Sequence, residues 1–373
     1  MPNQLDEARR IINEVDAQMA ELFVKRMRAA ELVYAYKKEN GLPILDRKRE
    51  DAVVERNAAL VEDDVLKGYY MDFLKNTMAI SRAYQYRMQN GLKVAYSGVE
   101  GAFAHIAAGR IFPEGNRMAY SDFKAAYDAV VSGECDAAVL PIENSYAGEV
   151  GQTMDLIFSG TLFINGIYEL EIHQNLLGLP DATAEDIRKV TSHPQALSQC
   201  RGFIKKHGYE ERSFENTALA AEYVAQHGDK KLAAIASEET AELYGLSVLA
   251  ANINEAANNT TRFALLSRSE NRSVSQLPGA HFVMMFTVRN EAGALANALN
   301  IIGDHGFNMR SLRSRPMKEL LWQYYFYVEA EGDENSEAGQ EMLAALKNYC
   351  DMLKVVGGYT MEVSLQKKRG DEE

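Results

Sequence analysis

Three different patterns of apolar and polar positions succeed one another along the chain. From residue 4 to 38, apolar side chains recur at Leu5, Ala8, Ile12, Val15, Met19, Leu22, Met27, Ala30 and Val33 without an intervening glycine or proline. That spacing predicts one long amphipathic helix. Asn40-Gly41 ends it and Pro43 confirms the stop; Asp46 opens a second helix to about Val61, and a third runs from about Val65 to Gln89 before Asn90-Gly91. At 1.5 Å per residue the first helix is about 50 Å long. Three helices of such unequal length cannot cover so long an apolar stripe, and pairing with a second copy is the expected remedy.

The period changes at Leu92. Short strand-like runs recur at 92–96, 137–140, 162–167, 190–191, 232–236 and 263–267, with helices expected at 103–112, 195–207, 217–227 and 238–244. Alternation of this kind predicts mainly parallel sheets covered by helices, here as two small lobes with a cleft between them. From His281 the order becomes β-α-β-β-α-β: strand 282–288, helix 293–305, strands 308–315 and 321–330, helix 336–349, strand 353–359. This is the ferredoxin-like arrangement. Polar, serine-rich Ser269–Gln276 reads as a linker, and the charged tail from Gln366 as frayed. The expected fold class is therefore multidomain α and α/β, divided at 1–90, 91–275 and 276–366.

Charge sharpens the first boundary. Residues 1–90 balance 15 Lys+Arg against 15 Asp+Glu, whereas 91–275 hold 15 against 24 and 276–373 hold 10 against 14. The net charge of −13 argues against nucleic acid as a partner. No apolar run reaches the roughly 18 residues that span a bilayer, so a soluble, cytoplasmic protein with no membrane partner is expected. Cys135, Cys200 and Cys350 are too far apart for metal-ligand spacing and are expected to be buried, inert thiols.

Candidate chemistry lies in each segment. Arg26 and Lys37 are eleven residues apart, almost three whole turns, so they share a helix face about 16 Å apart. Leaning inward, they could hold one small dianion. Arg9, about 25 Å from Arg26, could join them only from the antiparallel long helix of a second copy. The alternative is that all three are solvated face charges. In the middle segment two polar clusters, Ser192-His193-Pro194-Gln195 and Asn259-Thr260-Thr261-Arg262-Phe263, sit at the edges of apolar runs, where α/β layers commonly grip small anions.

The series Arg9, Asp16, Arg26, Lys37, Pro43, Asp46-Arg47-Lys48-Arg49-Glu50, Ser81 and Gln85 resembles the all-helical chorismate mutase family over nearly all of residues 4–90. The resemblance implies that Arg26 and Lys37, with Arg9 from the partner chain, bind the substrate's carboxylates and ether oxygen. It places Asp46 and Glu50 on the hydroxyl side, with Arg49 assisting, Gln85 as second donor to the ether oxygen, and Ser81 as a further polar contact. Chorismate to prephenate is a pericyclic rearrangement, so fixed cations and an amide serve it by orientation and preorganised electrostatics.

Residues 92–268 resemble prephenate dehydratase through Gly98-Val99-Glu100-Gly101-Ala102-Phe103-Ala104-His105, Pro141-Ile142-Glu143-Asn144-Ser145, Ser192-His193-Pro194-Gln195-Ala196 with Gln199, and Thr260-Thr261-Arg262-Phe263. This implies a two-lobed fold like that of periplasmic binding proteins. Expelling hydroxide from prephenate needs a proton donor, and the resemblance gives that importance to Thr261, within a hydrogen-bonded relay. Arg262 either anchors a carboxylate or is structural. Pro194 suits a first helical turn after Ser192 and His193, whose free amides could take the pyruvyl carboxylate; His193 could instead be a satisfied structural histidine. Glu143, Asn144, Gln195, Gln199, Glu215 and Thr217 are implied pocket groups, Glu215 alternatively a helix-start carboxylate.

Residues 281–360 resemble the ACT regulatory domain. Gly293-Ala294-Leu295 matches its glycine loop, and Arg313-Ser314-Arg315-Pro316 stands where the family carries Glu-Ser-Arg-Pro. Phenylalanine is the implied effector, met by Gly293, Ala294, Leu295, Ser314 and Arg315, while Arg313 reverses a charge nearby. Chorismate and prephenate are the implied substrates, no metal or organic cofactor is implied, and a homo-oligomer of at least two chains is expected. Two other readings remain: a non-catalytic amino-acid sensor, and a dehydratase whose helical segment only assembles it.

Overall fold

The computed structural model describes residues 4–256, 258–274, 277–317, 323–360 and 363–365. The chain divides into two compact units, Met1–Leu92 and Lys93–Glu373.

The first unit is helical. Helices α1 (Gln4–Glu39), α2 (Arg47–Ala58) and α3 (Asp64–Asn90) follow the expected spans within a few residues. Asp46 caps α2 by accepting from Arg49 N, and Asp63 caps α3 through Val65 N and Leu66 N. Gly91, at φ +73°, closes α3. Within α1 the one buried residue is Ala30. Leu5, Ile12, Val15, Met19 and Leu22 remain 42–64% exposed, which leaves the predicted stripe bare in the single chain.

The second unit begins with a lobe built from β1 (Lys93–Ser97), α4 (Phe103–Ile111), β2 (Asn116–Tyr120), α5 (Phe123–Val131), β3 (Ala137–Asn144), the two-residue β4 (Gly148–Glu149), α6 (Gly151–Ser159) and β5 (Phe163–Glu171). The chain then crosses to a second lobe: β6 (Asn175–Gly178), β7 (Lys189–Ser192), α7 (Pro194–Gln199), α8 (Arg201–His207), β8 (Glu210–Ser213), α9 (Thr217–His227), β9 (Leu232–Ala236), α10 (Glu238–Tyr244) and β10 (Ser247–Ala250). It returns as β11 (Thr260–Ser267), which inserts antiparallel between β3 and β5. Two crossings between two sheets give the expected cleft.

The sheets are mixed, not mainly parallel. β1, β2 and β3 pair in parallel, as do β7, β8 and β9. Each returning strand (β11 in the first lobe, β6 and β10 in the second) pairs antiparallel. The single helix expected over 195–207 is two, α7 and α8, meeting at Cys200, whose φ of −110° is not helical. Cys135 and Cys200 are buried and Cys350 is half-buried, a departure from the uniform burial expected.

The remaining elements are β12 (His281–Val288), α11 (Ala294–Asp304), β13 (Met309–Pro316), β14 (Tyr324–Glu331), α12 (Glu337–Leu346), β15 (Cys350–Tyr359) and the short β16 (Val363–Ser364). They form the expected βαββαβ sheet, in the order β13-β14-β12-β15. The strand expected at 321–330 has its start outside the described residues, and so does the tail. One face of this sheet packs Phe282, Met284, Phe286 and Val328 under α11 and α12 through Ala298, Ile302, Met342 and Leu346. The other face sends Val283, Met285, Tyr325 and Val356 into the same core as Leu140, Ile142, Ile157 and Ile164 of the first lobe. β15 also pairs with β5 at Gly357 and Ile164, joining the two sheets. Gly357 has φ +118°, and a Cβ there would collide with the Ile164 carbonyl, so the close approach requires glycine.

Candidate active sites

In the first unit, Arg26, Lys37, Asp46, Arg49, Glu50, Ser81 and Gln85 line one cavity of about 250 Å³. Three helices supply them: α1 the two cations, α2 its capping turn, α3 the serine and amide. Arg26 Nη1 donates to Thr77 O at 3.3 Å and to Ser81 Oγ. Burial pushes its guanidinium below the ordinary value, against the opposing charge of Glu50. Lys37 Nζ donates to Ile44 O at 2.5 Å, which turns the ammonium back toward the α1–α2 connection. Gln85 Nε2 donates to Ser81 O at 3.3 Å, leaving its second amide proton for a ligand, and its buried Oε1 has no partner. Arg9 lies exposed on α1. Arg82, absent from the expected set, also lines this cavity and pairs with both Glu50 oxygens.

In the second unit, Thr261 stands at the start of β11, where the chain re-enters the first lobe, opposite Asn144 at the end of β3. Asn144 Nδ2 donates to Thr261 Oγ1 at 2.9 Å and to Asn259 Oδ1 at 2.9 Å, while its Oδ1 accepts from Ala147 N at 2.9 Å and Tyr146 N at 3.1 Å. A hydroxyl that accepts from an amide keeps its own proton to donate. Ser145 adds a clasp, donating to Asn258 O and accepting from Thr260 N, both at 2.9 Å. Asn259 is thus a supporting residue that the strand-end cluster contained and the expected site did not.

The turn at Gly98–His105 joins the lobes. Gly101 takes φ +86° and accepts from Thr240 Oγ1 at 2.9 Å, and Arg110 of α4 pairs with Glu239 of α10. This turn follows β1, and α10 follows β9. The carboxyl ends of both sets of parallel strands therefore face one cleft, the usual location of ligands in α/β folds.

Several expected pocket groups are occupied elsewhere. The buried Ser192 donates its hydroxyl to Ile235 O at 2.5 Å. His193 caps α7, its Nδ1 accepting from Gln195 N at 3.2 Å, so that amide is not free for a carboxylate. Burial lowers the His193 imidazole below its ordinary value, as a neutral cap requires. Gln199 is buried against Gln174 at 3.3 Å, and Thr217 opens α9 behind its cap Asn216. Glu215 lines a separate open cavity of about 640 Å³ with Arg212, Phe214 and Tyr223, and that lining includes neither Thr261 nor Asn144.

Arg262 and Glu143 alternate with Thr261 and Asn144 along their strands and so point to the opposite face. There Arg262 forms two hydrogen bonds to Glu329 of β14, at 3.0 and 2.7 Å, and one to Glu143 at 3.1 Å. Glu143 also receives Arg313 Nη2 at 2.5 Å. Arg262 therefore has the structural alternative's geometry, Glu143 lies away from Thr261, and the reversed charge at Arg313 meets a carboxylate of the first lobe. Burial pushes Glu329 up, but Arg262 and the hydroxyls of Tyr359 and Tyr327 outweigh it and hold the carboxyl below its ordinary value. Acidic Glu329 within the apolar run Tyr324–Ala330 was the available sequence signal for this cluster.

Arg315 is likewise engaged, with Asp155 of α6 at 3.1 Å and Glu149 at 2.6 Å. That removes it from a free effector-binding set. Ser314 is exposed on edge strand β13, with β14 between it and β12, while Gly293, in a left-handed conformation at φ +83°, starts α11 with Ala294 and Leu295.

Fold and sites together define the class: an enzyme joining a helical, cation-lined cavity to a two-lobed α/β unit with a regulatory-type βαββαβ sheet. The chain matches chorismate mutase type II over residues 8–86, prephenate dehydratase over 94–271 and the ACT domain over 282–348. A bifunctional chorismate mutase/prephenate dehydratase of Aquifex aeolicus (strain VF5) is 30% identical over 369 residues, covering 95% of this chain and 98% of that protein. This chain belongs to the bifunctional chorismate mutase/prephenate dehydratase family. Among solved structures, prephenate dehydratase of Arthrobacter aurescens in complex with L-Phe is 27% identical with a TM-score of 0.66, covering 72% of this chain and 90% of that one. GqqA, described as a novel type of quorum-quenching acylase, is 32% identical with a TM-score of 0.65, covering 72% and 97%. Among the described residues no helix is long and apolar enough to cross a membrane.

Proposed function

We propose that this chain converts chorismate to prephenate in its helical unit and prephenate to phenylpyruvate in its two-lobed unit, in segments 1–90 and 91–275, under control of phenylalanine bound in segment 276–366. The observation that carries the reading is that Arg26, Lys37, Glu50 and Gln85 gather on one small cavity while the same chain sets Asn144 against Thr261 where it re-enters the first lobe.

In the mutase step Arg26 and Lys37 hold the dianion in its compact conformer, with Arg49, Asp46 and Ser81 completing the wall. Lys37 and the spare Gln85 proton meet the ether oxygen as its bond breaks and negative charge grows there, while Glu50 accepts the ring hydroxyl. Arg9 of a second copy completes the clamp. The bare apolar stripe of α1 supports this arrangement, because monomers rarely leave so long a row exposed. The proposal is accordingly at least a dimer, and it includes a cytoplasmic location.

In the dehydratase step the ring carboxylate leaves as CO2, its bonding electrons enter the ring, and the ring hydroxyl leaves as water. Thr261, held by Asn144, donates toward the departing oxygen and is reprotonated by a proton from solvent. The arrangement of Ser192, His193, Gln195, Gln199 and Thr217 supports a role in shaping the second-lobe wall, and that of Arg262 and Glu143 a role in bracing β11 and β3. Arg26→Ala tests the two-site reading. Loss of chorismate turnover with prephenate turnover retained supports it, whereas unchanged chorismate turnover overturns the clamp.

A further inference from the structure

We infer that Arg82 is a positioning residue of the mutase site, one that fixes the Glu50 carboxylate and cancels its charge so that a dianion can enter the cavity. The inference rests on the mutase reading above.

The charged groups lining the cavity are Arg26 and Lys37 from α1, Asp46, Arg49 and Glu50 from the start of α2, and Arg82 from α3. A carboxylate on this wall is a liability, because chorismate carries two carboxylates of its own and like charges at short range repel strongly where water is partly excluded. Arg82 answers that liability directly. Its Nη1 engages both Glu50 oxygens, with the two side chains 27% and 25% exposed. Counted over this chain's own lining, four cations and two carboxylates leave a charge of +2, to which Arg9 of a second copy adds; without Arg82 the same wall carries +1.

The geometry also fixes orientation. Arg82 follows Ser81, which Arg26 engages, and precedes Gln85 by three residues, so one face of α3 presents all three to the cavity. Held from α3, the Glu50 carboxylate keeps a defined direction and retains lone pairs for a substrate hydroxyl. The competing account is that the pair merely braces α2 against α3, a role that would alter stability but not the handling of substrate.

The test uses the full-length chain and compares wild type, Arg82→Met, Arg82→Lys, Glu50→Gln and the Arg82→Met/Glu50→Gln double variant, with chorismate and, separately, prephenate as substrate. Unpaired Glu50 repels the dianion in ground and transition states alike. Arg82→Met should therefore raise KM for chorismate about ten-fold while kcat changes by less than about three-fold. Arg82→Lys, which keeps the charge, should recover most of the loss. In the Glu50→Gln background the same Arg82→Met change should leave KM nearly unmoved, and prephenate turnover should be unaffected in every variant. An unchanged KM in both Arg82 variants overturns the inference, as does an equal KM penalty with and without the Glu50 charge, which would put Arg82 on the substrate itself. Wild-type turnover of chorismate with either of those results sinks this inference alone. A wild type that leaves chorismate untouched sinks the functional reading with it.

Discussion

Thr261 and Asn144 show how much one hydrogen bond can specify. Asn144 donates its Nδ2 to the threonine hydroxyl while two backbone amides hold its own carbonyl oxygen, so the amide that meets Thr261 is fixed in orientation. Thr261→Val keeps the shape and removes the proton. It should lower dehydratase kcat by about 10²-fold or more, the range of a lost general acid, and leave chorismate turnover unchanged in a coupled assay. A similar rate for Thr261→Val and wild type would move the proton donor elsewhere. At this scale the sequence was partly legible. Thr261, Arg26 and Lys37 stand out because a hydroxyl at a strand end and two cations at helical spacing leave a pattern. Arg82 leaves none, since one more arginine on a charged helix looks like any solvated cation until its carboxylate partner, 32 positions away, is known. Ser192 and the Gln195 amide show the opposite difficulty: polar groups beside a strand end can be taken up by a carbonyl or a helix cap, and spacing does not announce it.

At the scale of elements, β11 is the member that carries the Thr261–Asn144 contact and also reaches the βαββαβ sheet. Its successive residues face opposite ways, Thr261 toward Asn144 and Arg262 toward Glu329 on β14. Glu329 has no solvent exposure, and removing one partner of such a buried pair typically costs about 3–5 kcal/mol. Arg262→Met should destabilise the chain by about that amount in urea, leaving the mutase cavity intact. Because the folded Glu329 carboxyl lies below its ordinary value of 4.5, its contribution is full above that pH and is lost as pH falls through the depressed folded value. The stability gap between wild type and Glu329→Gln should accordingly narrow on acidification below 4.5; a gap that widens there contradicts the assignment. Element positions were readable where apolar period and caps coincide, as at α9, β9 and α10. β2, α5 and α6 went unread, and β11 showed no sign of its antiparallel insertion, because strand direction is set by tertiary pairing and not by local pattern.

For the whole molecule, the helical unit leaves its long apolar stripe uncovered and the regulatory sheet shares a core with the first lobe. The first points to a second copy, the second to coupling within the chain. Leu22→Asp, at a position 64% exposed on α1, should convert a dimer to monomer in sedimentation equilibrium and abolish mutase turnover by withdrawing Arg9, with dehydratase turnover kept. Mutase activity in a demonstrated monomer would remove the second copy from the site. Three-part organisation was visible from charge and period alone. The joining of β15 to β5 was not, because it depends on Gly357 permitting a backbone approach that no spacing announces. The most direct measurement is product formation from pure chorismate by the purified chain, with and without phenylalanine. The account predicts phenylpyruvate, formed more slowly when phenylalanine is added; chorismate left untouched, or prephenate accumulating without further conversion, would contradict it.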